Sequence, residues 1–218
     1  MGINKQIITK ITILFLFTGV TIDISAQEYY KLNCDISIKE RFSETKFSLI
    51  KGRVEYNKYD DITTYNFTFP SRETWILNKD SLTRTVKNKT DYKIPTSAIY
   101  KYSVFKLFFN GTLKNYGLKE SLYEISEIKE NSDGSVYTTW KPSKKMKIKF
   151  GKVMTSQKNG LLQGVIFYNL KNQLIGKQFF KDYINIKGMM FPSKIIEITV
   201  IENEKHYKIT EFTNVVLL

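Results

Sequence analysis

The chain has 218 residues, a mass of 25.6 kDa, and 34 Lys and Arg against 21 Asp and Glu, a formal net charge of +13. A single Cys (Cys34) and a single His (His206) exclude an intrachain disulfide scaffold, a structural zinc site of about four Cys and His ligands, and any Ser-His-Asp or Cys-His chemistry in which His206 is not the base. Apolar residues make up 42% and aromatics 14% of the chain, enough to bury a core, which argues against disorder.

At the N-terminus, Lys5 and Lys10 precede the apolar run Ile11-Thr12-Ile13-Leu14-Phe15-Leu16-Phe17, and Ser25-Ala26-Gln27 places a small residue at a cleavage point. The run falls short of the ~20 apolar residues of a membrane span, and Asp23 lies where a span would still be in hydrocarbon. Residues 1–26 read as a cleaved secretory signal, the alternative being an uncleaved anchor helix, and residues 27–218 as one domain. Cleavage removes Lys5, Lys10 and Asp23, so the basic excess belongs to the mature chain.

From Tyr30 onward the dominant period is two. Leu32, Cys34, Ile36 and Ile38 alternate with polar residues, the mark of a strand wet on one face only. The pattern returns over Met146–Phe150 and Tyr207–Phe212, and alternation of this kind belongs to antiparallel sheets. Turn signals recur at hairpin spacing: Lys51-Gly52, Asn57 to Asp61, Asn78 to Ser81, Ser132-Asp133-Gly134, Lys158-Asn159-Gly160, Leu170-Lys171-Asn172 and Glu202-Asn203-Glu204. Gly52 and Gly164 fit bulges inside strands, where a sheet curls.

One segment departs from this period. Thr96 caps a predicted helix from Ser97 to Asn110, with Ile99, Tyr102, Phe105, Phe108 and Phe109 on one broad face and Gly111 as its stop. A second short helix is predicted over Lys114–Lys119. The inventory is about ten strands and one principal helix.

Chemistry-bearing motifs are sparse. No nucleophile or orienting acid neighbours His206 in sequence, which reads as a solvent-facing hairpin residue. Alternation puts Cys34 on the apolar side of its strand, as a small buried hydrophobe. Asp60-Asp61 and Asn131 to Gly134 lack the ligand spacing of a calcium loop and read as polar turns. The densest charge feature is Lys141 to Lys149, where strand geometry sends Lys145, Lys147 and Lys149 to one face. That face is either a cationic surface for phosphate head groups or an acidic protein, or a solvated outer face that blunts edge pairing.

The aromatic surplus is more informative. One helix of about 14 residues, near 21 Å long, does not cover ten strands. Either the sheet closes as a packed barrel, or a concave apolar face remains as a lipid-binding groove.

Several segments, in order and spacing, resemble the periplasmic lipoprotein-carrier (LolA-like) family. They are Gly52-Arg53-Val54-Glu55-Tyr56, Pro70 to Ile76, Leu161 to Asn169, Asn172 to Phe179, Tyr183 to Ile186, Phe191 to Ile195 and Tyr207 to Val215. Together they cover most of residues 46–216. The resemblance implies a mainly β fold, an incomplete, unclosed antiparallel β-barrel with a helical lid. It further implies a periplasmic carrier that holds a lipoprotein acyl chain or other lipid on its concave face, without catalysis or cofactor. The expected state is a monomer, with no metal site expected and no nucleic acid, which an exported protein rarely meets. Gln27-Glu28-Tyr29-Tyr30 runs almost directly into a strand where the family begins with a helix, and Asn57-Lys58 follow Tyr56 where the family carries Arg-Pro. The implied lid is thus reduced, and its locking arginine has no counterpart here.

From alternation and the helix stripe, the expected apolar lining is Trp75, Phe105, Phe109, Phe150, Val165, Phe167, Ile198 and Phe212. The competing expectation is a non-carrier envelope protein with an occluded core, binding a partner protein or an anionic membrane surface through Lys145, Lys147 and Lys149.

Overall fold

The computed structural model describes residues 28–43, 45–87, 89–95, 103–145, 151–201 and 204–218. The signal segment, Thr96 to Tyr102 and Met146 to Phe150 lie outside them, and so do Lys147, Lys149 and Phe150.

The strands are β1 (Lys31–Arg41), β2 (Phe47–Asn57), β3 (Ile62–Phe69), β4 (Glu73–Leu77), β5 (Ser81–Val86), β6 (Lys89–Pro95), β7 (Tyr123–Glu130), β8 (Val136–Pro142), β9 (Val153–Lys158), β10 (Leu161–Tyr168), β11 (Leu174–Ile186), β12 (Met189–Ile201) and β13 (Glu204–Leu217). They form one antiparallel sheet of 13 strands, ordered β6-β5-β4-β3-β2-β1-β13-β12-β11-β10-β9-β8-β7. The count exceeds the ten expected because hairpins at Lys87 and at Lys187-Gly188, and the break at Pro70 to Arg72, split runs that carry few turn signals. Every neighbour in the sheet is consecutive in sequence except β1 and β13, which pair at its centre. β6 and β7 are also consecutive, yet they are the two free edges of the sheet. The barrel is therefore open at one seam, and the link across that seam carries the helix α1 (Val104–Phe109).

The alternation read from the sequence sets the faces. In β1, Leu32, Cys34 and Ile36 are buried and their neighbours are not. Gly52 and Gly164 both sit at register shifts, as expected. At Gly52 the sheet curls so tightly that a Cβ would lie 2.3 Å from the Asn66 carbonyl oxygen and 2.7 Å from the Phe67 Cα. Only a residue without a side chain fits there.

α1 is only six residues long, and helices this short do not persist alone in water. Its N-cap, Ser103, makes no side-chain capping bond. Gly111 ends it in the left-handed region, at φ +66°. Packing of Phe105, Leu107 and Phe108 into the sheet holds it in place. The helix expected over Lys114–Lys119 is a 3-10 turn at Leu113–Asn115, because Tyr116 and Gly117 both adopt positive φ and stop it.

Candidate functional site

The curved sheet buries one face. On it lie Leu32, Ile36, Val54, Phe67, Val165, Phe180, Phe191 and Phe212, all in the core. α1 and the 3-10 turn after it fill this concavity, with Tyr116 packed on Phe167 (5.7 Å) and Phe180 (6.1 Å). The Phe105 ring stacks on Tyr56 (6.2 Å) and Phe191 (6.0 Å) and meets Phe212 edge-on (5.4 Å). Phe108 packs edge-on against Phe191 at 5.1 Å, and Phe109 lies against Tyr56 at 5.2 Å. Such aromatic pairs contribute about 0.5–1.5 kcal/mol each beyond the area they bury. A polar clasp pins the helix to the wall. Lys106 ion-pairs with Asp61 in the β2–β3 turn, and the Tyr56 hydroxyl donates to the same carboxylate at 3.0 Å. Beside α1, a crevice of about 230 Å³ opens between Phe108, Leu113, Leu162, Tyr183 and Met189.

The N-terminal half of the wall carries a second aromatic run, Tyr65, Phe67, Trp75 and Tyr92, with successive ring centroids 5.7–6.1 Å apart. Glu73 accepts two bonds from Arg84, at 2.8 Å each, and one each from Ser71 and Trp75. The Arg84 bonds are the main reason its carboxyl is held down at about 2. Burial pushes the Cys34 thiol up to about 12, with Asp35 adding to the effect.

Farther along the same face the lining turns polar at one register. The row Phe180, Ile195, Thr210, Ile38 and Ile50 crosses five strands. The next inward-facing row is Gln178, Glu197, Lys208, Glu40 and Ser48. Lys208 Nζ lies 2.5 Å from Glu197, Gln178 donates to Glu197 at 2.9 Å, and Ser48 donates to Glu40 at 3.2 Å. Glu197 is also among the groups that raise the Tyr65 phenol, after burial and Cys34, although Tyr65 lies four strands away in the sheet.

The convex face is ionic. A groove of about 730 Å³ crosses it, lined by Asp35, Lys51, Arg53, Lys194 and Glu211 among others. Lys194 and Lys39 both bind Glu211 at 3.0 Å, and Arg53 lies 3.4 Å from Asp35. Among the described residues no group of His, Cys, Asp and Glu is arranged to hold a metal ion.

The structure brings Trp75, Phe105, Phe109, Val165, Phe167 and Phe212 to the concave side, where each is in the core or packed against it. Ile198 is different. Its register sets it between Lys177 and Tyr207, on the face opposite Ile195. Lys145 is exposed in a turn beyond β8. His206 is half-buried on β13, edge-on to Phe42 at 6.1 Å. The clasp and the polar row are absent from the sequence reading. The signal for the row is that Glu40, Glu197 and Lys208 keep the inward parity of apolar strands.

No family model and no curated protein matches the chain. Solved structures do match it. A LolA superfamily protein from Nitrosomonas europaea is 14% identical, with a TM-score of 0.59 over 87% of both chains. A DUF1329 family protein from Desulfovibrio piger is 12% identical, with a TM-score of 0.61 over 88% of this chain and 87% of that one. A domain assigned to outer membrane lipoprotein sorting, from Vibrio parahaemolyticus, is 8% identical, with a TM-score of 0.58 over 88% and 86%. The architecture is that of a LolA-like open β-barrel, as the sequence resemblance implied.

Proposed function

We propose that the protein is an exported carrier that holds a lipid or lipoprotein acyl chain on its concave face, with α1 as the element the chain displaces. The observation that carries this reading is the cover itself. Part of the apolar concavity is filled by a six-residue helix held by the Lys106–Asp61 ion pair and an aromatic contact set, with Leu113, Tyr116 and Leu118 packed in beyond it and an apolar crevice already open on its flank. The burial of Phe105, Leu107 and Phe108 is worth roughly 2 kcal/mol each, about 6 kcal/mol in all. A chain burying about eight methylenes at ~0.8 kcal/mol each offsets that. Exchange of helix for ligand is thus energetically balanced for acyl chains of ordinary length and needs no covalent step. The LolA superfamily and lipoprotein-sorting neighbours support the same reading, as does the basic-then-apolar N-terminal segment for export.

The packed aromatics around Phe105 also fit the alternative, an envelope protein with an occluded core that binds a partner or an anionic membrane through its basic outer face. The two readings part on whether α1 yields. Native mass spectrometry of the mature protein after mild extraction, with displacement of a fluorescent fatty acid, decides between them. A co-purified lipid and saturable displacement support the carrier; the absence of both leaves the occluded core.

A further inference from the structure

We propose that the concave face selects amphiphiles whose head group carries a primary amine, received by Glu40 at the point where the lining turns from apolar to polar. This deepens the carrier reading and rests on it.

The argument begins with register. Ile38 and Glu40 have the same parity on β1, as do Ile195 and Glu197 on β12, and Thr210 and Lys208 on β13. The change from Ile38, Ile50 and Ile195 to Glu40, Ser48 and Glu197 is therefore a boundary within one face, two residues wide. An apolar tail lying on the first row places its head on the second. A shallow pocket of about 170 Å³ adjoins the Gln178–Glu197 end of that second row, lined by Phe167, Gly176, Gln178 and Glu197 together with Lys177 and Ile198 of the opposite parity.

Charge then decides the head. The row holds two carboxylates and one ammonium. Lys208 stands opposite Glu40 in register but bonds to Glu197, which also takes Gln178. Glu40 accepts from the neutral Ser48 hydroxyl, its one hydrogen bond among the described residues. The cations nearest Glu40 in sequence are engaged elsewhere. Lys39 pairs with Glu211 on the convex side, the Arg41 guanidinium lies over Tyr207, and the Lys46 ammonium lies over Phe42. The row thus has one uncompensated negative charge at the apolar boundary. An ammonium head supplies the missing counter-charge and up to three donors. A carboxylate or phosphate head would meet Glu40 as a like charge.

The test is competitive displacement of a fluorescent fatty-acid probe from the mature protein by dodecylamine, dodecanol and dodecanoate, each below its micellar concentration. The expected order is amine tighter than alcohol by about tenfold, the effect of one charge-assisted hydrogen bond, with the carboxylate weakest. Glu40→Gln should erase the amine preference and leave alcohol binding unchanged. Lys208→Met, which adds a second uncompensated carboxylate, should increase the preference. Equal affinity for all three ligands, tighter binding of the carboxylate, or an amine preference that survives Glu40→Gln would each overturn the proposal while the carrier reading stands. Failure of all three to bind would instead remove the carrier reading, and the proposal with it.

Discussion

Lys106 of α1 and Asp61 of the β2–β3 turn form an ion pair, a polar tie between the helix and the barrel wall. Tyr56 donates to the other oxygen of the same carboxylate at 3.0 Å. One side chain therefore anchors both the helix and the aromatic ring on which Phe105 and Phe109 rest.

Asp61→Asn should loosen the helix without removing any apolar contact. If α1 competes with ligand for the concave face, a weaker closed state raises apparent affinity by the factor it loses in stability. A half-buried pair of this kind is worth about 1 kcal/mol, so the expected result is binding of a fluorescent fatty acid tightened several-fold together with a melting temperature lowered by a few degrees. Fluorescence titration and a thermal melt check both. Weaker binding by a folded variant would place the clasp in the binding-competent state instead.

Gly52→Ala should destabilise the barrel by at least ~2 kcal/mol, since the new Cβ meets backbone of β3 on arrival and no side chain can swing away. Urea unfolding measures it. An unchanged midpoint would mean that the strands separate there easily.

Cys34 is buried and burial pushes its thiol up to about 12, so it should resist thiol reagents at pH 8 in the native protein and react fully once urea unfolds it. Rapid labelling of the native protein would show that β1 opens locally.

The Glu73–Arg84 pair sets a pH dependence. The carboxyl of Glu73 is lowered from the usual 4.5 to about 2, so its contribution is fully present above 4.5 and is lost as pH falls toward 2. Glu73→Gln should therefore be less stable than the parent at pH 6, and the difference should narrow by pH 3. Melting curves at the two values read it directly; a gap that widens in acid would contradict the assignment.

Much of this was legible beforehand because alternation and turns are local properties. The faces of β1, the bulges at Gly52 and Gly164, the hairpin at Lys158 to Gly160 and the helix stop at Gly111 all follow from short windows of residues. Ile198 shows where that reasoning ends. In Ile195-Ile196-Glu197-Ile198 both parities are apolar, so only the pairing with Tyr207 tells which face Ile198 takes. The Lys106–Asp61 clasp joins residues 45 apart, and the polar row joins side chains from five strands, including β1 and β13 from opposite ends of the chain. Neither is visible until the register of every intervening strand is known. The expected strand at Met146–Phe150 and the first turns of the expected helix fall outside the described residues.

The central claim, that α1 is a displaceable cover, is tested most directly by hydrogen exchange with and without a saturating long-chain amphiphile. In the closed protein the amides of Leu107, Asn110 and Thr112 donate to Ser103, Lys106 and Leu107 at 2.9–3.0 Å, which predicts slowed exchange there. The expected result is that ligand speeds exchange at these three amides while the β1–β13 ladder keeps its protection. Unchanged or stronger protection of α1 at saturating ligand would contradict the account and leave the helix a fixed part of the core.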